Sequence, residues 1–251
     1  MIPSRFTLHA PRFTGDLSLP RLCADACAQS YRAATIETDL AHVLKLDTDR
    51  GTILAFRGTD SIRDWLIDAR VERTDLGFAS VHSGFWRSVN SIFPQILIFD
   101  QRSCPTPVIL TGHSKGGAEA KLCAFLLARA GRPITAVVTF GAPRAGDSRW
   151  RILYNATPNN FAFPQSTLGS ITQRWIHEED IVPRLPVWVT GYRHIAQEYF
   201  MSTFGGVEVN PPLWHKAISD LWGTFCGYKR RDIEQLIDHP ISRYQEHLNT
   251  L

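Results

Sequence analysis

Apolar residues, many of them β-branched, recur along the chain in short runs. Val108–Leu110 and Ile134–Phe140 are two such runs, and Gln173–Ile176 is a shorter one. Continuous apolar runs of this length are typical of strands buried on both faces of a parallel sheet. Two further strand-like segments flank a turn at Gly51, where glycine suits a positive φ, and they predict a β-hairpin over residues 42–57.

Segments of helical character separate these strands. Residues 19–34 are predicted to form one helix, and residues 83–100 a second helix with a break or kink at Pro94. Residues 118–131 carry strong helix formers and end at a glycine, which is a common helix stop. The alternation of strands and helices predicts an α/β fold with a mostly parallel central sheet and helices on both faces. We expect one domain over residues 1–251.

Composition adds few constraints. Hydrophobic residues make up 44% of the chain, charged residues 20%, and the formal charge is +3, which is ordinary for a globular enzyme. The basic run at residues 229–231 is interpreted as a solvated loop, so no nucleic-acid partner is predicted. Five scattered cysteines favour reduced thiols, and Cys23 and Cys27 are interpreted as core residues instead of metal ligands.

The N-terminal segment bears on location. Prolines and charged residues interrupt residues 1–22, and no apolar run there resembles a signal peptide. No other segment reaches the length of a transmembrane helix. The sequence therefore predicts a cytoplasmic protein without a transmembrane segment.

A serine between two glycines follows the first buried strand directly. Gly112-His113-Ser114-Lys115-Gly116 lies where that strand gives way to a helix. A serine on a sharp strand-to-helix turn has a strained backbone and an exposed hydroxyl, as in nucleophile elbows. The pattern predicts that Ser114 is a nucleophile and that the backbone N–H of Lys115, at a helix N-terminus, faces a developing oxyanion.

A serine nucleophile requires a histidine base, which in turn requires an acid. Asp180 is the favoured acid because it lies at a strand end and precedes a loop stiffened by two prolines; Glu178 and Glu179 are the alternatives. The downstream histidines are His194, His215, His239 and His247. His239 is favoured as the base because it precedes a short amphipathic helix, with Ile241, Tyr244 and Leu248 at helical spacing. His194 is interpreted as a packed structural residue.

Together these segments resemble the class 3 lipases, a family of α/β-hydrolases. The similarity runs from about residue 43 to residue 248 in blocks that follow the family's order. The blocks are Phe56–Ser61 with Asp64 and Trp65, Val81–Phe85, Thr111–Gly117, Thr139–Arg144, Asp180–Pro186, Tyr192–Ile195, and Asp238–His239 with Tyr244. The resemblance implies Ser114 as nucleophile, Asp180 as acid, His239 as base, and Thr59 with the Lys115 amide as the oxyanion hole. It implies no cofactor.

Two features depart from the family pattern. The residue after the nucleophile is often leucine in the family, and Lys115 here is expected to place a cation or its aliphatic stem near the cleft. Residues 153–170 and 200–213 are rich in loop-forming residues and are predicted to be loops, and residues 196–225 match no family pattern. The acyl chain and head group of the substrate are therefore left open.

Residues 61–69 suggest how a substrate reaches the serine. Ile62, Trp65, Leu66 and Ala69 recur at helical spacing, which predicts a short amphipathic helix. The helix begins two residues after Thr59, where the resembling lipases carry a lid. A lid over Ser114, opened by transient contact with a lipid surface, is our hypothesis; a fixed surface helix is the alternative.

The predicted activity is hydrolysis of carboxylic esters of lipids, such as triacylglycerol or a related glycerolipid, through an acyl-enzyme on Ser114. Two alternatives on the same scaffold are a phospholipase A1 and a soluble esterase for short acyl chains. A non-catalytic binding module of this fold is a third alternative, which the filled catalytic positions disfavour.

Overall fold

The computed structural model describes residues 13–59, 72–102, 108–159, 166–178, 180–202, 206–212 and 240–251. Within these residues the strands are β1 (Ile36–Glu37), β2 (His42–Thr48), β3 (Gly51–Phe56), β4 (Arg73–Asp75), β5 (Ser80–His82), β6 (Val108–His113), β7 (Ile134–Phe140), β8 (Thr172–His177), β9 (Gln197–Met201) and β10 (Val207–Val209). The α-helices are α1 (Ser18–Ser30), α2 (Ser83–Arg102), α3 (Lys115–Arg129), α4 (Ser148–Ala156), α5 (Leu168–Ile171) and α6 (Ile241–Thr250).

A sheet of eight strands runs through the described residues in the order β1-β2-β3-β6-β7-β8-β9-β10. The five strands β3, β6, β7, β8 and β9 are parallel to their neighbours in this series. The outer pairs β1/β2, β2/β3 and β9/β10 are antiparallel. The prediction of a mostly parallel sheet is confirmed, and the predicted hairpin is the β2/β3 pair.

Helices cover both faces of this sheet because successive side chains of a strand point to opposite sides. Leu110 of β6 lies in a core that includes residues of α2 and α3, such as Val89 and Leu122. Its neighbour Ile109 lies in a second core with residues of α1 and α6, such as Cys27 and Leu248. The two-sided burial confirms the predicted α/β arrangement and explains why β6 is apolar throughout its first half.

Three local predictions need correction. The second helix is not broken at Pro94, since it continues to Arg102, with Ile92 and Ile96 buried in the core on either side of the proline. Residues 153–170 are not one loop, since they include the end of α4 and all of α5. Two buried aromatic residues, Trp150 and Tyr154, anchor α4, and Asp147 caps it by accepting from the Trp150 N–H.

Residues 200–213 also contain regular structure, namely the end of β9 and the short strand β10. The apolar side chains of Phe200, Met201 and Val207 in these strands are buried. Cys23 and Cys27 are fully buried, as predicted, and burial raises the pKa of both thiols. Among the described helices, none has the length and apolar character needed to cross a bilayer.

Candidate active site

Ser114 occupies a strained turn between β6 and α3. Its φ of 55° and ψ of −130° lie outside the regions that residues with a side chain normally adopt. The Ser114 N–H donates to the Phe140 carbonyl at 2.9 Å, and the Gly117 N–H donates to the Ser114 carbonyl at 3.0 Å. Backbone strain of this kind persists only where the surroundings impose it, and it is concentrated at functional sites.

Close backbone packing imposes the strain. A Cβ atom on Gly112 would lie 2.3 Å from the carbonyl carbon of Gly116, and one on Gly116 would lie 2.1 Å from the Phe56 carbonyl oxygen. Both distances are well below van der Waals contact with backbone atoms that cannot rotate away. The two glycines of the motif are therefore required for α3 to approach β6 and the end of β3.

The segment that follows β3 passes directly beside the serine. A Cβ atom on Gly58 would lie 3.2 Å from the Ser114 Cβ and 2.2 Å from the Tyr31 hydroxyl oxygen. Thr59 comes next in the chain, and Lys115 is the first residue of α3, whose free N–H groups form the positive end of the helix dipole. The two proposed oxyanion donors thus belong to segments that adjoin the serine.

Asp180 lies at the carboxyl edge of the sheet, three residues after β8. It is buried, and its two carboxylate oxygens accept from different partners. Oδ1 accepts from the Val182 N–H at 2.9 Å, and Oδ2 accepts from the Tyr244 hydroxyl at 2.5 Å. The second bond connects the acid loop to helix α6.

Tyr244 is a site residue whose hydrogen bonds sequence reasoning did not predict. Its hydroxyl also accepts from the His177 N–H at 3.2 Å. Burial raises the pKa of Tyr244 well above its usual value, and the Asp180 carboxylate raises it further, so the phenol remains a donor. The available signal was a tyrosine in an apolar helical stripe, since a buried tyrosine hydroxyl usually finds a partner.

The alternative acids differ from Asp180 in position or lie outside the described residues. Glu178 is buried, and its Oε2 accepts from the Ser202 hydroxyl at 3.4 Å, at the end of β9. It therefore faces the neighbouring strand, whereas Asp180 contacts α6. Glu179 lies outside the residues that the structure describes.

Side chains of Arg144 and His194, and of Arg184 within the loop itself, donate to the backbone of the acid loop. The Glu178 carbonyl accepts from the Arg184 side chain at 3.3 Å, and the Pro183 carbonyl accepts from His194 Nε2 at 2.7 Å. The Arg144 side chain donates to the Arg184 carbonyl and, at 2.7 Å, to the Pro186 carbonyl. Burial, reinforced by neighbouring arginines, lowers the pKa of Arg144 to about 10. The loop is thus held by side chains as well as by backbone hydrogen bonds, such as those from the Arg144 N–H to the Leu185 carbonyl at 2.8 Å and from the Leu185 N–H to the Val182 carbonyl at 3.0 Å.

His194 fits the structural role predicted for it. Burial lowers its pKa well below 6.5, and the nearby charges of Arg174, Arg144 and Lys121 lower it further. The ring is therefore neutral near pH 7, and its contact with the Pro183 carbonyl assigns the proton to Nε2. In this arrangement His194 stabilises the loop that carries Asp180.

The side chain of Lys115 differs from expectation. Its ammonium group forms an ion pair with Glu119 at 2.5 Å and donates to the Leu40 carbonyl at 2.9 Å and to the Ser88 hydroxyl at 3.3 Å. Glu119 is fully buried, which raises the pKa of its carboxyl, while Lys115 opposes that rise. The charge of Lys115 is thus engaged between α3, α2 and the segment before β2, and the expected cation in the cleft is absent.

Several predicted site residues cannot be placed. His239, His215, Ile62, Trp65 and Leu66 lie outside the described residues. The base and the lid therefore stay predictions. What the structure does bring together at the carboxyl edge of the sheet is Ser114, the Gly58–Thr59 segment, and Asp180 with its partner Tyr244.

The family model for Lipase (class 3) matches residues 53–190. The chain belongs to the class 3 lipase family. It is 30% identical over 181 residues to the secreted mono- and diacylglycerol lipase A of Penicillium cyclopium, covering 69% of this chain and 55% of that protein. It is 29% identical over 210 residues to a lipase of Rhizomucor miehei, covering 79% of this chain and 53% of that protein.

A solved triacylglycerol lipase, described as having a serine protease triad as its catalytic centre, is 28% identical with a TM-score of 0.56. The match covers 68% of this chain and 65% of that lipase. The likeness agrees with the α/β-hydrolase architecture described above. The chain spans about half the length of the curated relatives it matches.

The comparisons correct one prediction from the sequence. The relatives from Penicillium cyclopium and Fusarium solani are named as secreted lipases, so the predicted cytoplasmic location is wrong. The inference failed because a signal peptide is cleaved from the mature protein, and its absence from a sequence carries no information about location.

Proposed function

We propose that this chain is a serine hydrolase that cleaves acyl esters of glycerolipids. The observation that carries the proposal is the strained Ser114 turn at the N-terminus of α3, with the Gly58–Thr59 segment packed against it. Membership of the class 3 lipases supports this assignment. So does the name of the Penicillium relative, a mono- and diacylglycerol lipase.

In the proposed mechanism, His239 removes the proton from the Ser114 hydroxyl as the oxygen attacks the ester carbonyl carbon. The backbone amides of Thr59 and Lys115 stabilise the resulting oxyanion. The histidine then donates its proton to the departing alcohol, and a water molecule, deprotonated by the same histidine, hydrolyses the acyl-enzyme. No cofactor takes part in this sequence.

Asp180 is proposed to orient His239 and to stabilise its protonated form. His239 directly precedes Pro240, the residue before α6, and Tyr244 of that helix donates to Asp180 at 2.5 Å. The hydrogen bond holds α6, whose sequence His239 and Pro240 precede, against the acid loop. This supports Asp180 over Glu178, whose carboxylate faces β9.

The glycerolipid class follows from the relatives, and the extracellular location from those named as secreted. We propose both for this chain. The lid hypothesis for residues 61–69, with Ile62, Trp65 and Leu66 on its apolar face, is retained as part of the proposal. A short-chain esterase and a phospholipase A1 are the outcomes that would replace the acylglycerol lipase.

The test compares wild type, Ser114→Ala and a matched control, Ser148→Ala, at an exposed position on α4. Each is assayed for fluorophosphonate labelling and for hydrolysis of a diacylglycerol, a triacylglycerol, phosphatidylcholine and a soluble nitrophenyl ester. We expect Ser114→Ala to lose labelling and at least about 10³-fold in rate at unchanged Tm, while Ser148→Ala behaves as wild type. Undiminished turnover by Ser114→Ala would refute the nucleophile.

A further inference from the structure

Three consecutive large apolar side chains are exposed just after the acid loop. Val187 is 46% exposed, Trp188 65% and Val189 69%. We call these residues the apolar loop. Apolar side chains scattered singly over a surface need no explanation, but adjacent ones that include a tryptophan mark a contact surface.

The fold holds the apolar loop in this exposed position. Trp188–Thr190 form a 3₁₀ turn, and the Thr190 hydroxyl donates to the Val187 carbonyl at 2.6 Å. The Arg193 guanidinium donates to the Trp188 carbonyl at 2.7 Å. Because the backbone carbonyls are engaged in the fold, the side chains project from a defined turn.

The apolar loop lies on the side of the molecule that carries the candidate site. The chain runs into it from Asp180 through the acid loop, and Arg193, which follows it, donates from its N–H to the Gly146 carbonyl at 2.8 Å. Tyr192 donates to the Glu72 carbonyl at 3.1 Å. Gly146 comes six residues after the carboxyl end of β7, so the apolar loop lies at the edge of the sheet that carries Ser114.

Basic side chains surround the apolar loop. Arg73, exposed, places its guanidinium 4.6 Å from the centre of the Tyr192 ring, and Arg184 is exposed at the other end of the loop. Arg193 and Arg144 add two partly buried positive charges. The acidic groups packed nearby are Glu72, Asp147 and, close to Arg144, Glu198. Positive charge therefore exceeds negative charge around the exposed tryptophan.

We propose that the apolar loop docks onto a glycerolipid surface that carries anionic head groups. Val187, Trp188 and Val189 enter the boundary between head groups and acyl chains, and the surrounding arginines contact the negatively charged head groups. The proposal rests on the proposed function, since it orients the Ser114 side of the molecule toward a lipid substrate. The excess of positive charge favours an anionic lipid surface over a second copy of the chain, because the arginines around the two apolar loops would repel each other.

The test measures sedimentation of the full chain with phosphatidylcholine vesicles, with and without phosphatidylglycerol. We expect stronger binding to the anionic vesicles, weakened by salt and by Arg73→Gln, and a drop in binding on the order of tenfold for Trp188→Ser. Ile98→Ser is the matched control, since Ile98 is 50% exposed near the end of α2 that leads to the opposite edge of the sheet. It should bind as wild type does.

Hydrolysis of a soluble nitrophenyl ester, measured in parallel, separates this proposal from the proposed function. Equal vesicle binding by wild type and Trp188→Ser, with normal ester hydrolysis, overturns the docking surface alone. A loss of ester hydrolysis in Trp188→Ser would place the tryptophan in the substrate site and overturn it as well. A concentration-dependent dimer in sedimentation velocity that Trp188→Ser abolishes would assign the loop to self-association. Absence of hydrolysis and labelling in wild type would refute the hydrolase instead.

Discussion

The serine turn and the acid loop meet at the same edge of the sheet but are held in place by different forces. Around Ser114 the backbones of β3, β6 and α3 pack so closely that Gly112 and Gly116 leave no room for a side chain. Around Asp180 the backbone carbonyls are held by Arg144, His194 and Arg184 through hydrogen bonds.

The difference has a physical consequence. Close packing of backbone atoms leaves no room for an added atom. These contacts do not depend on pH, because backbone atoms do not titrate. When several side chains donate hydrogen bonds to a loop, the loss of one donor leaves the others in place. A hydrogen bond from histidine also depends on the protonation state of its ring. We therefore expect the serine turn to fail abruptly on substitution and the acid loop to weaken gradually with substitution and with acid.

The largest effect is expected for Gly116→Ala. Its Cβ would lie 2.1 Å from the Phe56 carbonyl oxygen, so the strand or the helix must move. We expect a loss of more than about 3 kcal/mol in the free energy of unfolding, or no folded protein, as measured by urea denaturation. Gly84→Ala is the control, because its Cβ would meet only the His82 ring, at 3.1 Å. Equal stability of the two variants would contradict the packing account.

The second-largest effect is expected when a buried carboxylate loses its cationic partner. Lys115→Met leaves Glu119 buried without its cation, which should cost about 3 kcal/mol, whereas the double variant Lys115→Met/Glu119→Gln should recover a large part of the loss. Burial already raises the pKa of Glu119 above its unfolded value, and loss of Lys115 raises it further. Folding thus favours the protonated carboxyl, so the deficit of Lys115→Met should grow as pH rises through that raised pKa. A double variant less stable than the single one would show that the pair is not coupled.

The acid loop should show its pH dependence through His194. Because the folded pKa lies well below the ordinary 6.5, the unfolded chain binds more protons below that pH, and stability present above pH 6.5 is lost on acidification. Each pH unit of acidification below 6.5 should cost up to about 1.4 kcal/mol. Urea denaturation at pH 7.5 and 5.5 should reveal a larger loss in wild type than in His194→Asn, which lacks this titrating group. An equal fall in the free energy of unfolding of the two proteins between pH 7.5 and 5.5 would rule out a neutral His194 in the folded state.

The smallest effect should follow the loss of one hydroxyl group. Tyr244→Phe removes the donor to Asp180 Oδ2, and we expect about 1 kcal/mol less stability and about a tenfold fall in kcat with little change in KM. Tyr154→Phe is the matched control, since it loses a buried hydroxyl bonded to Thr172 at 2.9 Å in another part of the fold. It should lose similar stability but keep kcat. Unchanged kcat in both variants would mean that the Tyr244 contact does not position the acid.

Elements with a continuous apolar pattern could be predicted from the sequence. The pattern of residues 134–140 predicts a strand, and they form β7 with the same bounds, because five of its seven side chains are apolar and buried. Helix α4 was missed because only Trp150 and Tyr154 are buried in it, while Arg151 and Ile152 between them are exposed and Leu153 is partly buried. The sequence already favours Asp180 over Glu178, and the contact between Asp180 and Tyr244 of α6 supports that choice.

The sequence by itself predicted the serine turn, because the motif lies in five adjacent residues between a buried strand and a helix. Only the tertiary structure decided the partners of the site's side chains. Tyr244 reaches Asp180 across 64 positions of sequence, and Lys115 donates to Leu40 across 75. A short motif can be recognised in neighbouring residues. A hydrogen-bond partner from a distant segment can be identified only when the packed core brings the two atoms within about 3 Å of each other.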